Sequence, residues 1–332
     1  MKKLWTERRW KQYQSKRQHY EAARRRERRA WIRRRRRANQ WKPNPRRRPR
    51  KNVTVTAPAR FSMVENPEEM SRFLKRLSRE NDRRHHVFVD LSGISTLTSD
   101  GIAVLLARVK RGRSGVTTGG NWPNDPKLKS MLTQSGFAQH VVAPGVDTSG
   151  DHGEIVKRSS YKVMPDMAQS LIACVTRGLT GRKQRRQPVQ SALLECMSNT
   201  HDHAAPASER EGWWATAYYD ENERKAFFTF VDLGVGIFRS RRVTLLQTVL
   251  KHLGAMRNVV LMEDILKGNV PSRTGFPFRG KGLPWIYKLS QMGHLRNLIV
   301  VSNDVFADVA RDKYRSLDPP FGGTLLYWEI GD

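Results

Sequence analysis

A mixed α/β protein behind a basic arm is what the sequence predicts, and three observations predict it. The chain has 332 residues, enough for two folded segments at roughly 150 residues each. Its charge is segregated: residues 1–60 hold 24 Lys and Arg against three acids, Glu7, Glu21 and Glu27, within a formal net charge of +30. From residue 53 onward, strand-patterned and helix-patterned stretches alternate, which favours packed sheet and helix layers. The expected organisation is an arm and Pro linker over 1–52, an α/β domain over 53–150, and a two-layer α/β sandwich over 155–332.

The arm comes first. Arg24 to Arg26 and Arg33 to Arg37 are interleaved with Trp5, Trp10, Tyr13, Tyr20, Trp31 and Trp41, with no Gly or Pro before Pro43. Such a segment forms a basic helix when a partner neutralises it and is disordered otherwise. Pro43, Pro45 and Pro49 then end any helix and act as a linker. Arginines neutralise phosphates and aromatics stack on bases, so non-specific nucleic acid is one partner expected for residues 1–50. A ribosome surface, an anionic membrane and a solvated tail are other readings of the same charge. No run approaches the ~18 apolar residues of a membrane span, and no secretory signal is expected from the polar start MKKLWTERRWKQYQ. Two cysteines, Cys174 and Cys196, exclude a disulfide-dense scaffold and a four-cysteine zinc site. They fit a reducing, cytoplasmic compartment.

In the first folded segment VTVTAP alternates as a short strand. NPEEMSRFLKRLSRE reads as a helix, with Pro67 in its first turn, Glu68 and Glu69 at the positive end of its dipole, and Met70, Phe73, Leu74 and Leu77 on one face. HHVFVD reads as a buried strand ending at Asp90. STLTSDGIAVLLARVKRG gives a turn and a helix with Ile102, Leu105, Leu106 and Val109 inward. NWPNDPKLKSMLTQSGFAQHVV adds a helix capped near Asn124 or Asp125 and closed at Gly136.

The run VFVDLSGISTLTSDGIAVLLARVKRG, with the later LKSMLTQSGFAQHV, resembles the STAS domains, the anti-sigma-factor-antagonist fold, over about 90 residues. The resemblance puts Ser99 at that family's phospho-acceptor position. Here the loop reads Thr98-Ser99-Asp100-Gly101, with Thr98 where the family has Asp. Read from the residues alone, Ser99 is a helix N-cap.

In the second segment VMPDMAQSLIACVTRGL is an amphipathic helix. GRKQRRQPVQSALLECMSNTHDHA is a second one, with Pro188 near its start and Ala192, Leu193, Cys196 and Met197 apolar. Glu195 and Asn199 are four apart and share a face. GWWATAYYDENERKAFFTFVDLGVGI is a β-hairpin turning at Asp220 to Glu223, and its second strand runs to Asp232 with Gly234 and Gly236 just beyond. VTLLQTVLKHL and VVLMEDILKG look helical. RGKGLPWIYKLSQMG places Gly280 and Gly282 before a helix starting near Leu283. RNLIVVSND and GGTLLYWEI read as strands.

Four elements, in order, resemble the histidine-kinase-like (GHKL, or Bergerat-fold) ATPase superfamily over about 170 residues. Its N box is similar to Glu195 through Ala204, its G1 box to Asp232–Ile237, its G2 box to Arg279–Leu283, and its final strand to Gly322-Gly323-Thr324. The resemblance implies ATP and Mg²⁺ as cofactors. It implies Asn199 as Mg²⁺ ligand, Glu195 as the carboxylate that orients or deprotonates a water or hydroxyl, and Asp232 as acceptor for the adenine amine, supported by Thr324 through a water. Gly234 and Gly236 would pass close to the base. Arg279, Gly280, Lys281, Gly282 and Leu283 would hold phosphate. These roles agree with the residue chemistry: an amide oxygen is a hard ligand suited to Mg²⁺, a carboxylate can take a proton, and a helix N-terminus holds phosphate.

Other readings stand beside these. Zinc at Cys196, His201 and His203 is disfavoured, because a continuous helix puts the two histidines about 200° apart. Trp213 and Trp214 are read as core and surface strand residues, and both cysteines as buried fillers. No histidine-bearing helix precedes this segment and no transducer domain follows Thr324, so a sensor kinase and a topoisomerase or chaperone machine are not expected. The combination resembles the components of bacterial partner-switching systems. The resemblance implies a regulatory ATPase or Ser/Thr kinase with a protein partner, and a homodimer is one of the assemblies open to it. The alternative is a nucleotide-gated binding module without turnover.

Overall fold

The computed structural model describes residues 50–110, 118–141, 153–159, 163–203, 212–240, 258–270 and 282–331. The expected arm and the stretch VTLLQTVLKHL lie outside the described residues. The chain divides after Arg50, and Lys51–Asp332 forms one compact unit. It is a mixed α/β fold with a parallel sheet and an antiparallel sheet. No helix among the described residues is long and apolar enough to cross a membrane.

The first lobe is built on a parallel sheet of β1 (Asn52–Thr56), β3 (His86–Asp90) and β5 (Thr118–Gly120), in the order β1-β3-β5. Val53 pairs with Val87 and Val55 with Val89. A short parallel pair, β2 (Arg60–Phe61) and β4 (Thr96–Leu97), closes one end. Helix α1 (Pro67–Asp82) starts at its proline and buries Met70, Phe73, Leu74 and Leu77, the face its spacing predicts. Helix α2 (Ser99–Lys110) follows β4. Helix α3 (Pro126–Gln134) is capped by Asp125, whose carboxylate accepts from the backbone N–H of Lys127 at 2.7 Å and of Leu128 at 3.3 Å. Helix α4 (Phe137–Val141) begins directly after Gly136, which takes φ 82°.

The second lobe is a seven-stranded sheet in the order β11-β10-β9-β12-β8-β7-β6, with every neighbouring pair antiparallel. Its strands are β6 (Gly153–Ser159), β7 (Trp213–Asp220), β8 (Lys225–Asp232), β9 (Arg296–Ser302), β10 (Val305–Asp308), β11 (Lys313–Ser316) and β12 (Thr324–Gly331). The β7–β8 hairpin turns where the sequence predicts. Asp220 there accepts from the N–H groups of Asn222 and Glu223 at 2.8 and 3.1 Å. Helices α5 (Pro165–Thr180), α6 (Gln187–His203), α8 (Asn258–Lys267) and α9 (Gly282–Gln291) bury their apolar faces in one core with Phe228, Phe230, Leu326 and Trp328. The single turn α7 (Ile237–Ser240) follows the glycine turn after β8.

The sheet's other face is buried too. Strand side chains alternate, so Phe227, Val231 and Leu233 of the β8 region point away from the helices, as do Trp214, Ile299, Val301, Leu325 and Tyr327. These share a second core with the first lobe, above all with α2. This explains two departures from expectation. Helix α2 buries Ala103, Val104, Ala107 and Arg108 as well as the predicted Ile102, Leu105 and Leu106, while Val109 is only partly buried, because it is covered from two sides. Trp214 is not a surface residue: it is 6% exposed, edge-on to the His140 ring at 5.3 Å. Cys174 is half-buried rather than buried, whereas Cys196 is buried as expected.

Candidate functional site

Helix α6 carries the first two candidates. Ala192, Leu193, Cys196 and Met197 lock one face of it into the core. That leaves Glu195 and Asn199, one turn apart, half-buried on another face. Burial pushes the Glu195 carboxyl above its ordinary pKa. Helix α9 starts against this pair. A Cβ on Gly282 would lie 2.8 Å from Glu195 Oε2 and 3.1–3.2 Å from the Asn199 amide, so any larger residue there would push the ends of these two side chains aside. The docking is pinned one turn on each side, where Trp285 Nε1 donates to Ser191 Oγ at 2.7 Å. The positive end of α9 therefore lies beside the Glu195 carboxyl and the Asn199 amide.

Asp232 ends β8, 7% exposed, between Trp213 of β7 and Thr324 of β12 in the ladder. Its Oδ1 accepts the Gly234 N–H at 2.8 Å, which shapes the turn beyond the strand. Gly236 takes φ 80°, and a Cβ there would collide with the Asn303 side chain. Asn303 Nδ2 in turn donates to the Val235 carbonyl at 3.0 Å. Ser302 Oγ accepts the Ile237 N–H at 2.9 Å, donates to the Gly323 carbonyl at 2.9 Å and lies 3.2 Å from Thr324 Oγ1. Gly323, at φ 138°, packs without a Cβ onto the Asp232 carbonyl. Three separate chain segments thus hold Asp232 in place. Sequence reasoning missed Ser302 and Asn303. Their signal was polar residues ending the apolar run Leu298–Val301.

The two groups adjoin one another. Helix α6 packs against β8; burial pushes the Cys196 thiol of α6 up, and the negative charges of Glu195 and Asp232 push it further. The sequence-predicted residues thus fall into two groups, Glu195 and Asn199 with Gly282 where α9 meets α6, and Asp232, Gly234, Gly236 and Thr324 at the ends of β8 and β12, while Leu283 is buried in the helix-side core. Arg279, Gly280 and Lys281 lie outside the described residues. Ser99 does not join the group: it begins α2, on the opposite face of the sheet, and is 8% exposed.

The donor set suits a magnesium–phosphate ligand. An amide oxygen and a carboxylate oxygen are hard donors, and Mg²⁺ usually takes only one or two protein ligands beside phosphate oxygens and water. No cluster of three or more His, Cys, Asp or Glu residues that would form a metal cage occurs among the described residues. The buried Trp213 Nε1, on the residue directly across from Asp232, has no hydrogen-bond partner among the described residues. An unmade buried bond of this kind costs about 1–3 kcal/mol.

No protein-family model matches the chain, and a comparison with curated proteins found no match.

Proposed function

We propose that the chain is an ATP- and Mg²⁺-binding regulatory protein of the histidine-kinase-like (GHKL) superfamily, with a Bergerat-type second lobe and a STAS-like first lobe. Its reaction is γ-phosphoryl transfer to a Ser or Thr of a protein partner, or slow hydrolysis. The observation that carries this reading is the seating of Gly282, at the start of α9, against both Glu195 and Asn199 of α6, with Asp232 ending β8, a strand against which α6 packs.

In this reading Asp232 and Thr324 hold the adenine edge, and Gly234 and Gly236 let the base approach the backbone. The N-terminus of α9, with Arg279 and Lys281, holds phosphate. Bound Mg²⁺ supplies charge neutralisation at the phosphates. Asn199 offers it an amide oxygen. Glu195 takes the proton of the attacking hydroxyl or water as its oxygen bonds to the γ-phosphorus, and the bond to the β,γ-bridging oxygen breaks to release ADP. Ser99 lies across the sheet from its own Glu195, so a Ser99 acceptor would be that of a second molecule. Because burial raises the Glu195 pKa, turnover should fall on acidification at a pH above the ordinary carboxylate range.

The test uses the full chain with Mg²⁺ and γ-labelled ATP. Release or transfer of label that is lost in Glu195→Gln and Asn199→Ala supports the reading. No ATP binding by the wild type sinks it. Binding without conversion favours the second reading, a nucleotide-gated module whose residues 1–50, basic as they are, contact nucleic acid or another polyanion.

A further inference from the structure

We infer that Arg108 is a positioning residue through which the first lobe sets the affinity of the nucleotide site, an inference that rests on the ATP reading above. Arg108 lies near the end of α2 and is only 8% exposed. Burying a guanidinium is costly unless its N–H groups are used. Its Nη1 donates to Ser78 Oγ of α1 at 3.3 Å, and its Nη2 crosses to the second lobe and donates to the Gly322 carbonyl at 3.0 Å. The guanidinium also sits over the Phe321 ring, 5.5 Å from its centre.

The gripped carbonyl belongs to the turn that leads into β12. Gly322 and Gly323 have φ values of 34° and 138°, a stretch with the largest freedom to lose on ordering. Ordering it brings Gly323 onto the Asp232 carbonyl, the Gly323 carbonyl onto Ser302 Oγ, and Thr324 into register with Asp232. The peptide is therefore held from both lobes: Ser302 restrains it from within the sheet, and Arg108 restrains it from α2. Arg108 fixes the turn that aligns two of the candidate ligand-binding residues, Asp232 and Thr324. A shift of α2 releases the turn and weakens ATP binding, and by linkage ATP binding tightens α2 against the sheet.

The experiment compares full-length wild type, Arg108→Met and Arg108→Lys by calorimetric titration with Mg²⁺-ATP and by amide hydrogen exchange. Arg108→Met should weaken ATP binding by about tenfold, within the usual range of coupling between sites. It should speed exchange over residues 321–326 and 233–237 while leaving α6 protected. Arg108→Lys, which keeps one donor for Gly322, should recover part of both effects. In the wild type, ATP should slow exchange in α2. Wild-type affinity in Arg108→Met, or loosening spread evenly over both lobes, overturns the inference while leaving the ATP reading intact. If the wild type itself binds no ATP, the reading fails and the inference with it. Should Arg108→Met not fold, Ser78→Ala serves instead: it removes one support of the guanidinium, and a loss of about threefold is expected, with no loss counting against the inference.

Discussion

Asp100 illustrates how one side chain can serve architecture at the doorstep of a motif. It is 1% exposed, and its carboxylate accepts from the Met63 N–H at 2.5 Å, the Val64 N–H at 3.1 Å and Ser62 Oγ at 3.2 Å, tying the start of α2 to the turn before α1. Burial raises its pKa despite hydrogen bonds that lower it. A carboxyl whose folded pKa is raised gives its full stabilisation below the ordinary value near 3.9 and loses it as pH rises through the folded value. Denaturant melts across pH 4–8 should therefore show Asp100→Asn, which keeps an acceptor, gaining on the wild type as pH rises. Asp100→Ala strands the buried donors and should cost about 1–3 kcal/mol for each one left unpaired. Gly282 gives the complementary case. Ala suits a helix better than Gly, so Gly282→Ala should leave the melting temperature unchanged or raised. Its methyl displaces Glu195 or Asn199, and turnover in the labelled-ATP assay should fall by up to about 10²-fold, the cost of an ångström of misplacement.

Among elements, α2 shows what the sequence could and could not tell. Its apolar residues run all the way round, Ile102 to Ala107 without a polar break, which is the pattern of a helix covered on both sides. Reading one stripe from that run found half of its contacts. Helices α1, α5 and α6 were legible because each has one apolar face and a proline at its start, Pro67, Pro165 and Pro188, and the β7–β8 hairpin, apolar on both faces, was legible from its Asp220–Glu223 turn. Strands β10 and β11 were not. They are four residues each, and β11 is largely exposed with charged Lys313 and Arg315, so no apolar alternation marked it. Similarly, the glycines at 236 and 323 were visible as letters. What forces them is Asn303 and the Asp232 carbonyl, contacts made across tens of residues that no local pattern encodes. The Trp285–Ser191 bond is of the same kind. Trp285→Phe should cost about 1 kcal/mol in stability by melting, and should weaken ATP binding if the start of α9 is part of the site.

At the scale of the molecule, the first lobe's core is closed by the far face of the second lobe's sheet, and that face is covered by the first lobe. Residues 151–332 expressed alone would expose Trp214, Phe227, Val231, Ile299, Leu325 and Tyr327 over one contiguous face. An apolar patch of that kind drives association. The fragment should bind a hydrophobic dye and aggregate, whereas the full chain should do neither; a monomeric, dye-negative fragment would contradict the shared core. The basic arm makes a separate prediction, since residues 1–60 carry 24 of the 61 Lys and Arg. Deleting residues 1–50 should flatten the dependence of polyanion affinity on salt, each lost phosphate contact reducing the logarithmic slope by about 0.9 on duplex DNA.

The alternation of β8 has a consequence for how such a chain tolerates insertions and deletions. Even-numbered positions from Ala226 to Asp232 serve the helix side, and odd-numbered positions from Phe227 to Val231 serve the lobe side. A codon gained or lost in the exposed turn at Glu221–Glu223 changes only loop length. The same event inside the strand exchanges the two sets beyond it. It would turn Asp232 away from the helix side and at the same stroke put valine and phenylalanine where the wrong neighbours wait. Length variation in this hairpin should therefore be confined to its tip.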